Sequence, residues 1–112
     1  MALTGNIYGA RPISTAWVNF NGTGTIAIKD SFNISSLTDN AVANYTVNLS
    51  ISMAATNYGV VASRADSTDA TTYNARSLSP ITIATTYVDL IGCAGGASDL
   101  DTNNFACFGD IA

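Results

Sequence analysis

Acidic and amide side chains near the end of the chain have the spacing closest to that of a known chemical site. In SDLDTNNFACFGD, Asp99, Asp101 and Asn103 take positions one, three and five of a calcium-binding loop, and Asp110 takes position twelve. Position six is Asn104 where the pattern has glycine, and position twelve is usually a bidentate glutamate. The favoured interpretation is therefore a solvated loop without a metal, and a calcium loop is the alternative.

Catalytic chemistry would need side chains that this chain lacks. Histidine is absent, as are glutamate and glutamine, and nucleophilic triads and histidine-based acid–base chemistry need a histidine or a substitute base. Paired aspartates could serve a glycosidase. We therefore predict a protein that is not an enzyme and has no cofactor, and keep a small glycan-active enzyme using Asp pairs such as Asp99 and Asp101 as the least favoured alternative.

The two cysteines, Cys93 and Cys107, have two interpretations. Free cysteines are among the most buried residue types, which favours two small core side chains. A disulfide joining the last two strands is the alternative, and it requires Cα atoms within about 7 Å of each other.

Composition limits both the fold class and the partners. The chain is 47% hydrophobic but only 11% charged, with a net charge of −4. Ser, Thr and Asn must therefore form its solvent-exposed surface. Because Glu and Gln, which are good helix formers, are absent, an all-β domain is expected. Binding to nucleic acid is disfavoured, because the chain is acidic and has no stripe of basic residues. No apolar run reaches the ~20 residues of a membrane span. The first residues, MALTGNIYGARP, lack a signal-peptide pattern, so synthesis in a cytoplasm is expected.

Hydrophobic periodicity predicts an antiparallel β-sandwich or barrel-like domain with an extended N-terminal arm. Residues 1–15 are the predicted arm and residues 16–112 a single β domain. In YTVNLSISM, residues 45–53, every second residue is apolar, as in a strand with one wet face. AWVNFNGTGTIAI predicts a hairpin with Val18, Phe20, Ile26 and Ile28 in the core and a turn at Asn21-Gly22. SSLTDNAVAN, residues 35–44, is predicted to be turn-rich, Tyr58–Ala62 and FACFGDI to be strands, and the polar stretches 64–77 and 94–104 to be loops.

Residues 81–93, ITIATTYVDLIGC, are apolar on both sides of an assumed single strand. Such a strand is central or covered by another subunit. Tyr87, Val88 and Leu90 are therefore predicted interface residues. Trp17 joins them, because core or subunit interface is the favoured interpretation of this tryptophan over an exposed platform for a sugar.

The segment from AWVNFNGTGT through SFNISSLTDN and YTVNLSISM to NY, within residues 16–61, resembles a recurrent β-domain of tail-fibre-like and small virion-associated proteins of tailed bacteriophages. The resemblance covers a little under half of the chain and departs after residue 63, although the closing FACFGDI is weakly similar to the short final strand of that domain.

This resemblance implies a non-enzymatic virion structural protein, with homotrimeric self-assembly, contacts to other virion proteins and attachment to a host-surface glycan or protein. The loops at 64–77 and 94–104 would then carry attachment. The alternative is a capsid decoration protein that stabilises the phage head through its N-terminal arm.

Overall fold

The structure, a computed structural model, describes residues 14–65, 77–93 and 99–112, without the side chain of Cys93. The predicted arm up to residue 13, and most of the two loops expected to carry attachment, lie outside these ranges. Eight strands form within them: β1 (Ala16–Asn21), β2 (Ala27–Phe32), β3 (Ile34–Ala41), β4 (Asn44–Leu49), β5 (Gly59–Ala65), β6 (Ser77–Ile83), β7 (Tyr87–Cys93) and β8 (Thr102–Phe108). The described chain contains no helix that could span a membrane.

The strands form two four-stranded antiparallel sheets that pack together, so the predicted all-β, sandwich-like class is confirmed. The first sheet has the order β2-β1-β8-β5 and the second the order β3-β4-β7-β6. The chain passes between the sheets at Asn33, whose φ of 58° lies in the left-handed region that asparagine tolerates better than most residues. The Asn33 side chain donates a hydrogen bond to the Thr15 carbonyl at 2.9 Å, which fixes this crossing.

Side chains that alternate along the central strands fill the space between the sheets. The strictest alternation is on β1, β4 and β8, as a strand with one buried face requires. Phe20 of the first sheet meets Tyr45 of the second edge to face, with ring centroids 5.1 Å apart. The largest fully buried side chains are Tyr45, Phe20, Phe105, Met53, Leu90, Val18, Val47, Val88, Asn103 and Cys107.

The predicted hairpin forms from β1 and β2, but its core assignment is only partly right. Val18 and Phe20 are buried, and Ile26 packs partly against the core. Ile28 is 40% exposed, because β2 is an edge strand and the register shifts by one residue opposite Asn19 and Phe20. The turn contains an Asn21 side chain that accepts a hydrogen bond from the Thr23 backbone N–H at 2.8 Å.

Two predictions of local structure are wrong. SSLTDNAVAN is mostly strand β3, because an edge strand can have polar residues on both faces and so shows no alternation. Residues 81–93 are two strands, β6 and β7, joined by a turn in which the Ala84 N–H donates to the Tyr87 carbonyl at 3.0 Å. Thr85 and Thr86 form this turn. This stretch contains no glycine, asparagine or proline, so the residues that usually mark a turn in a sequence are missing here.

Candidate functional site

The outer face of the first sheet has a row of apolar side chains across all four strands. Phe32 is the cross-strand partner of Trp17, and Trp17 is that of Ala106. Ala106 in turn is paired with Val61. Directly paired residues share a face of a sheet, so these four side chains form one line about 14 Å long at the usual strand spacing. We call it the apolar row.

Several members of the apolar row are open to solvent. Phe32 is 41% exposed and Val61 is 57% exposed, and Phe108, two residues beyond Ala106 on β8, is 49% exposed. Trp17 is partly exposed. Of the two places predicted for it, the core is therefore wrong, and an interface stays a prediction. Exposed apolar side chains are common singly, but a contiguous patch marks an interaction site.

A polar row lies beside the apolar row on the same face. Asn19 pairs with Asp30 and with Asn104, and Asn104 pairs with Ser63. The Asn19 amide donates to the Asn104 side-chain carbonyl at 2.5 Å, and the Asn104 amide donates to the Ser63 hydroxyl at 3.3 Å. Asn19, Asn104 and Ser63 thus satisfy one another, and Asp30 accepts from the Ser31 N–H at 2.9 Å, so the polar row borders the apolar one at little desolvation cost.

Between the two rows is a shallow groove of about 290 Å³ that Trp17, Val61, Ser63 and Asn104 help to line. Pockets that enclose small ligands are usually 300–1,000 Å³ and concave. An open groove at the lower limit of that range, on a flat sheet face, fits the contact surface of a macromolecule better than an active site.

The predicted interface residues lie in three different places. Val88 and Leu90 are fully buried in the core, so their side chains cannot contact another subunit, and this part of the prediction is wrong. The reason is the mistaken single strand: Ile81 and Ile83 belong to β6, and Val88 and Leu90 lie on the inner face of β7, which packs in the core. Tyr87 is partly exposed on the outer face of the second sheet, as the cross-strand partner of Asn48. Trp17 and Tyr87 are thus on opposite sides of the sandwich.

The residues of the candidate calcium loop do not converge. Asn103 is fully buried in β8, and about 17 Å of extended strand separates it from Phe108, two residues before Asp110. Among the described residues no three metal-ligating side chains of the His, Cys, Asp and Glu types lie together. The loop pattern in the sequence is therefore not a calcium loop in the fold.

Asp99 has a structural role in place of metal binding. Its Oδ1 accepts hydrogen bonds from the Ala43 N–H at 2.8 Å and from the Tyr45 hydroxyl at 2.7 Å. Ala43 has a φ of 56°, an uncommon conformation that such a bond helps to hold. Burial, and next the hydrogen bond to Asp99, raise the pKa of Tyr45 well above its ordinary value, so the phenol stays protonated as the donor.

Asn103, position five of the calcium pattern, is a buried polar residue with partners inside the fold. Its amide donates to the carbonyls of Leu100 at 2.8 Å and Phe20 at 3.3 Å. Its Oδ1 has no hydrogen-bond partner within the described part of the chain. Through these two bonds Asn103 holds the segment before β8 against β1, so its role is structural.

Cys107 is a buried free thiol. Burial raises its pKa above the ordinary value. Strand β8 pairs with β1 and β5, whereas β7 pairs with β4 and β6, so the last two strands are in different sheets. The favoured interpretation, a small core side chain, is confirmed for Cys107.

Comparisons of the chain with protein-family models, with curated proteins and with solved structures find no match. The candidate site therefore rests on the geometry of the fold alone. It is the outer face of the first sheet, with its apolar row.

Proposed function

We propose that this chain is a non-enzymatic structural module of a bacteriophage virion, of the tail-fibre type. In this proposal it assembles with copies of itself as a homotrimer, contacts other virion proteins and contributes to attachment at the host surface. The resemblance of residues 16–61 to phage structural domains supports the class of protein. The apolar row of Phe32, Trp17, Ala106 and Val61 is the single structural observation that carries the assembly part.

Self-assembly is the use that the apolar row fits best. Interface centres are apolar and rich in aromatic residues, and they are poor in charged ones. The apolar row has these properties, while the charged residue of the neighbouring polar row, Asp30, lies on edge strand β2. Homo-oligomers are symmetric, so every subunit of a trimer turns the same face toward the three-fold axis, and the apolar rows of the three chains would meet there.

The absence of catalysis in this proposal is supported by residue types and by contacts. The chain has no histidine and no glutamate. Asp99, half of the aspartate pair considered for glycan hydrolysis, is occupied by the Ala43 N–H and the Tyr45 hydroxyl. No described contact favours an enzyme.

Introducing a charge at Val61 tests the assembly. Val61→Lys puts an ammonium group into the apolar row, and Val42→Lys is the matched control, because the two valines are 57% and 56% exposed and Val42 lies in the β3–β4 turn. Multi-angle light scattering at micromolar concentration should show trimers for the wild type and for Val42→Lys. Val61→Lys should dissociate at least about tenfold more readily, since a 1.4 kcal/mol loss is already tenfold. A monomeric wild type, or equal assembly of the two variants, contradicts the proposal.

The place in the virion needs a separate measurement. Labelled wild-type protein is incubated with host cells and with phage capsids that lack the protein. Retention on cells supports the tail-fibre type. Retention on capsids alone contradicts it and makes the chain a capsid decoration protein.

A further inference from the structure

The outer face of the second sheet carries a different surface from that of the first. Its cross-strand pairs place hydroxyl and amide side chains in two adjacent rows. One row joins Ser36, Asn48 and Tyr87, and the other joins Thr38, Thr46 and Asp89. We call these six residues the polar array. The two rows are about 7 Å apart, the rise of two residues along a strand.

Hydrogen bonds between neighbouring strands hold the polar array in place. The Asn48 amide donates to the Ser36 hydroxyl at 3.1 Å and to the Thr38 hydroxyl at 3.2 Å. The Thr46 hydroxyl donates to Asp89 Oδ1 at 2.5 Å and accepts from the Asn40 amide at 2.9 Å. Side chains ordered in this way lose little conformational freedom when a ligand binds, which removes a usual cost of association.

The same bonds leave groups that can serve a ligand. Asn48 uses both of its amide hydrogens, so its Oδ1 is left as an acceptor, and Asp89 keeps Oδ2 as a second acceptor. The Ser36 and Thr38 hydroxyls accept from Asn48 and keep their own O–H groups as donors. Tyr87, opposite Asn48, adds a partly exposed aromatic ring beside these polar groups.

We infer that the polar array binds a neutral glycan. A sugar presents hydroxyl groups that both donate and accept, and an apolar ring face of C–H groups, which are the partners of the free oxygens and of the Tyr87 ring. The array has no apolar centre of the kind a protein interface needs. Asp89 is its one carboxylate, and together with a chain charge of −4 it disfavours anionic sugars and nucleic acid.

This inference rests on the proposed function for its setting. The two sheets pack against each other through their inner faces, so their outer faces point in opposite directions. A trimer that covers the apolar row would leave three polar arrays facing outward. Weak single contacts then add up, because linked sites raise the effective concentration of each other.

The test uses the full-length chain and a printed array of oligosaccharides. One set holds neutral hexose and N-acetylhexosamine chains, and the other holds sialylated and phosphorylated chains. The wild type should bind members of the neutral set and none of the anionic set. Calorimetry with the tightest neutral oligosaccharide then compares variants, and light scattering of the same samples records the oligomeric state.

Asn48→Ala removes the centre of the polar array and should weaken binding about tenfold or more. Asp89→Asn keeps the acceptor for Thr46 and replaces Oδ2 by a donor, so it should fold normally and bind severalfold more weakly. Asn57→Ala, at an exposed asparagine outside the array, is the matched control and should bind as the wild type does.

Binding to the anionic set, no binding to the neutral set, or unchanged affinity in both Asn48→Ala and Asp89→Asn overturns the inference. A trimer that binds no neutral glycan overturns the inference and leaves the assembly proposal standing. A monomer that binds the neutral set, with the loss in both variants, supports the inference and contradicts the assembly proposal.

Discussion

Gly22 and Tyr45 meet so closely that a single methyl group tests how rigidly the two sheets are held together. A Cβ at residue 22 would lie 2.8 Å from Tyr45 Cζ, closer still to the Tyr45 hydroxyl oxygen, and 3.2 Å from Asn103 Nδ2. Neither side can retreat easily. The Gly22 N–H donates to the Leu100 carbonyl at 2.9 Å, and Tyr45 is fully buried, bonded to Asp99 and packed on Phe20.

The magnitude follows from two opposing effects. Overpacking a filled core costs about 1–3 kcal/mol, while replacing glycine by alanine stabilises by about 0.4–1 kcal/mol through the unfolded chain. Gly22→Ala should therefore lower the free energy of unfolding by about 1–2 kcal/mol. Tyr45→Phe should cost a similar amount, because Asp99 loses a charge-assisted hydrogen bond. In the double variant the hydroxyl that meets the new methyl group is gone, so we expect its loss to be about 1 kcal/mol smaller than the sum.

The assay is urea denaturation of the four proteins of this cycle at one protein concentration, with thermal melting as a second measure at roughly 4 °C per kcal/mol. Gly59→Ala is the matched control, because a Cβ there meets only the Phe108 carbonyl oxygen at 3.8 Å. A Gly22→Ala variant as stable as Gly59→Ala, or strict additivity in the cycle, would refute the reasoning.

Two further predictions concern titratable groups. Burial raises the pKa of Tyr58 to about 12 and that of Tyr45 further. Above pH 10 the unfolded chain therefore loses phenol protons that the folded chain keeps, and the stability present below pH 10 should fall by up to about 1.4 kcal/mol per pH unit for each tyrosine. Urea midpoints from pH 9 to pH 11.5 measure this, and a flat profile, or an equal slope in Tyr58→Phe, contradicts it. Cys107 is fully buried and its pKa is raised, so iodoacetamide at pH 8 should modify it much more slowly in native than in urea-unfolded protein; peptide mass spectrometry reads this residue separately, and equal rates would show that the thiol is accessible.

Composition and periodicity alone were enough for the fold class. The absence of Glu and Gln, with alternation at Tyr45, Val47 and Leu49, indicates strands with one buried face, and these three side chains are buried. The first hairpin also follows from local sequence, because Asn21 and Gly24 supply turn chemistry that any context would use. Edge strand β3 and the β6–β7 turn escaped prediction, since an edge strand needs no alternation and a turn between paired strands needs no special residue.

Sequence by itself determined which residues are apolar and in what order they alternate, because side-chain direction in a strand depends only on position along the chain. Tertiary structure alone decided which strands share a sheet. That pairing brings Phe32, Trp17, Ala106 and Val61 into one exposed row although they are distant along the chain. It also buries Val88 and Leu90 and separates the aspartates that a linear pattern grouped together. Cross-strand partners are set by long-range packing, so the candidate surfaces of this protein exist only in the folded chain.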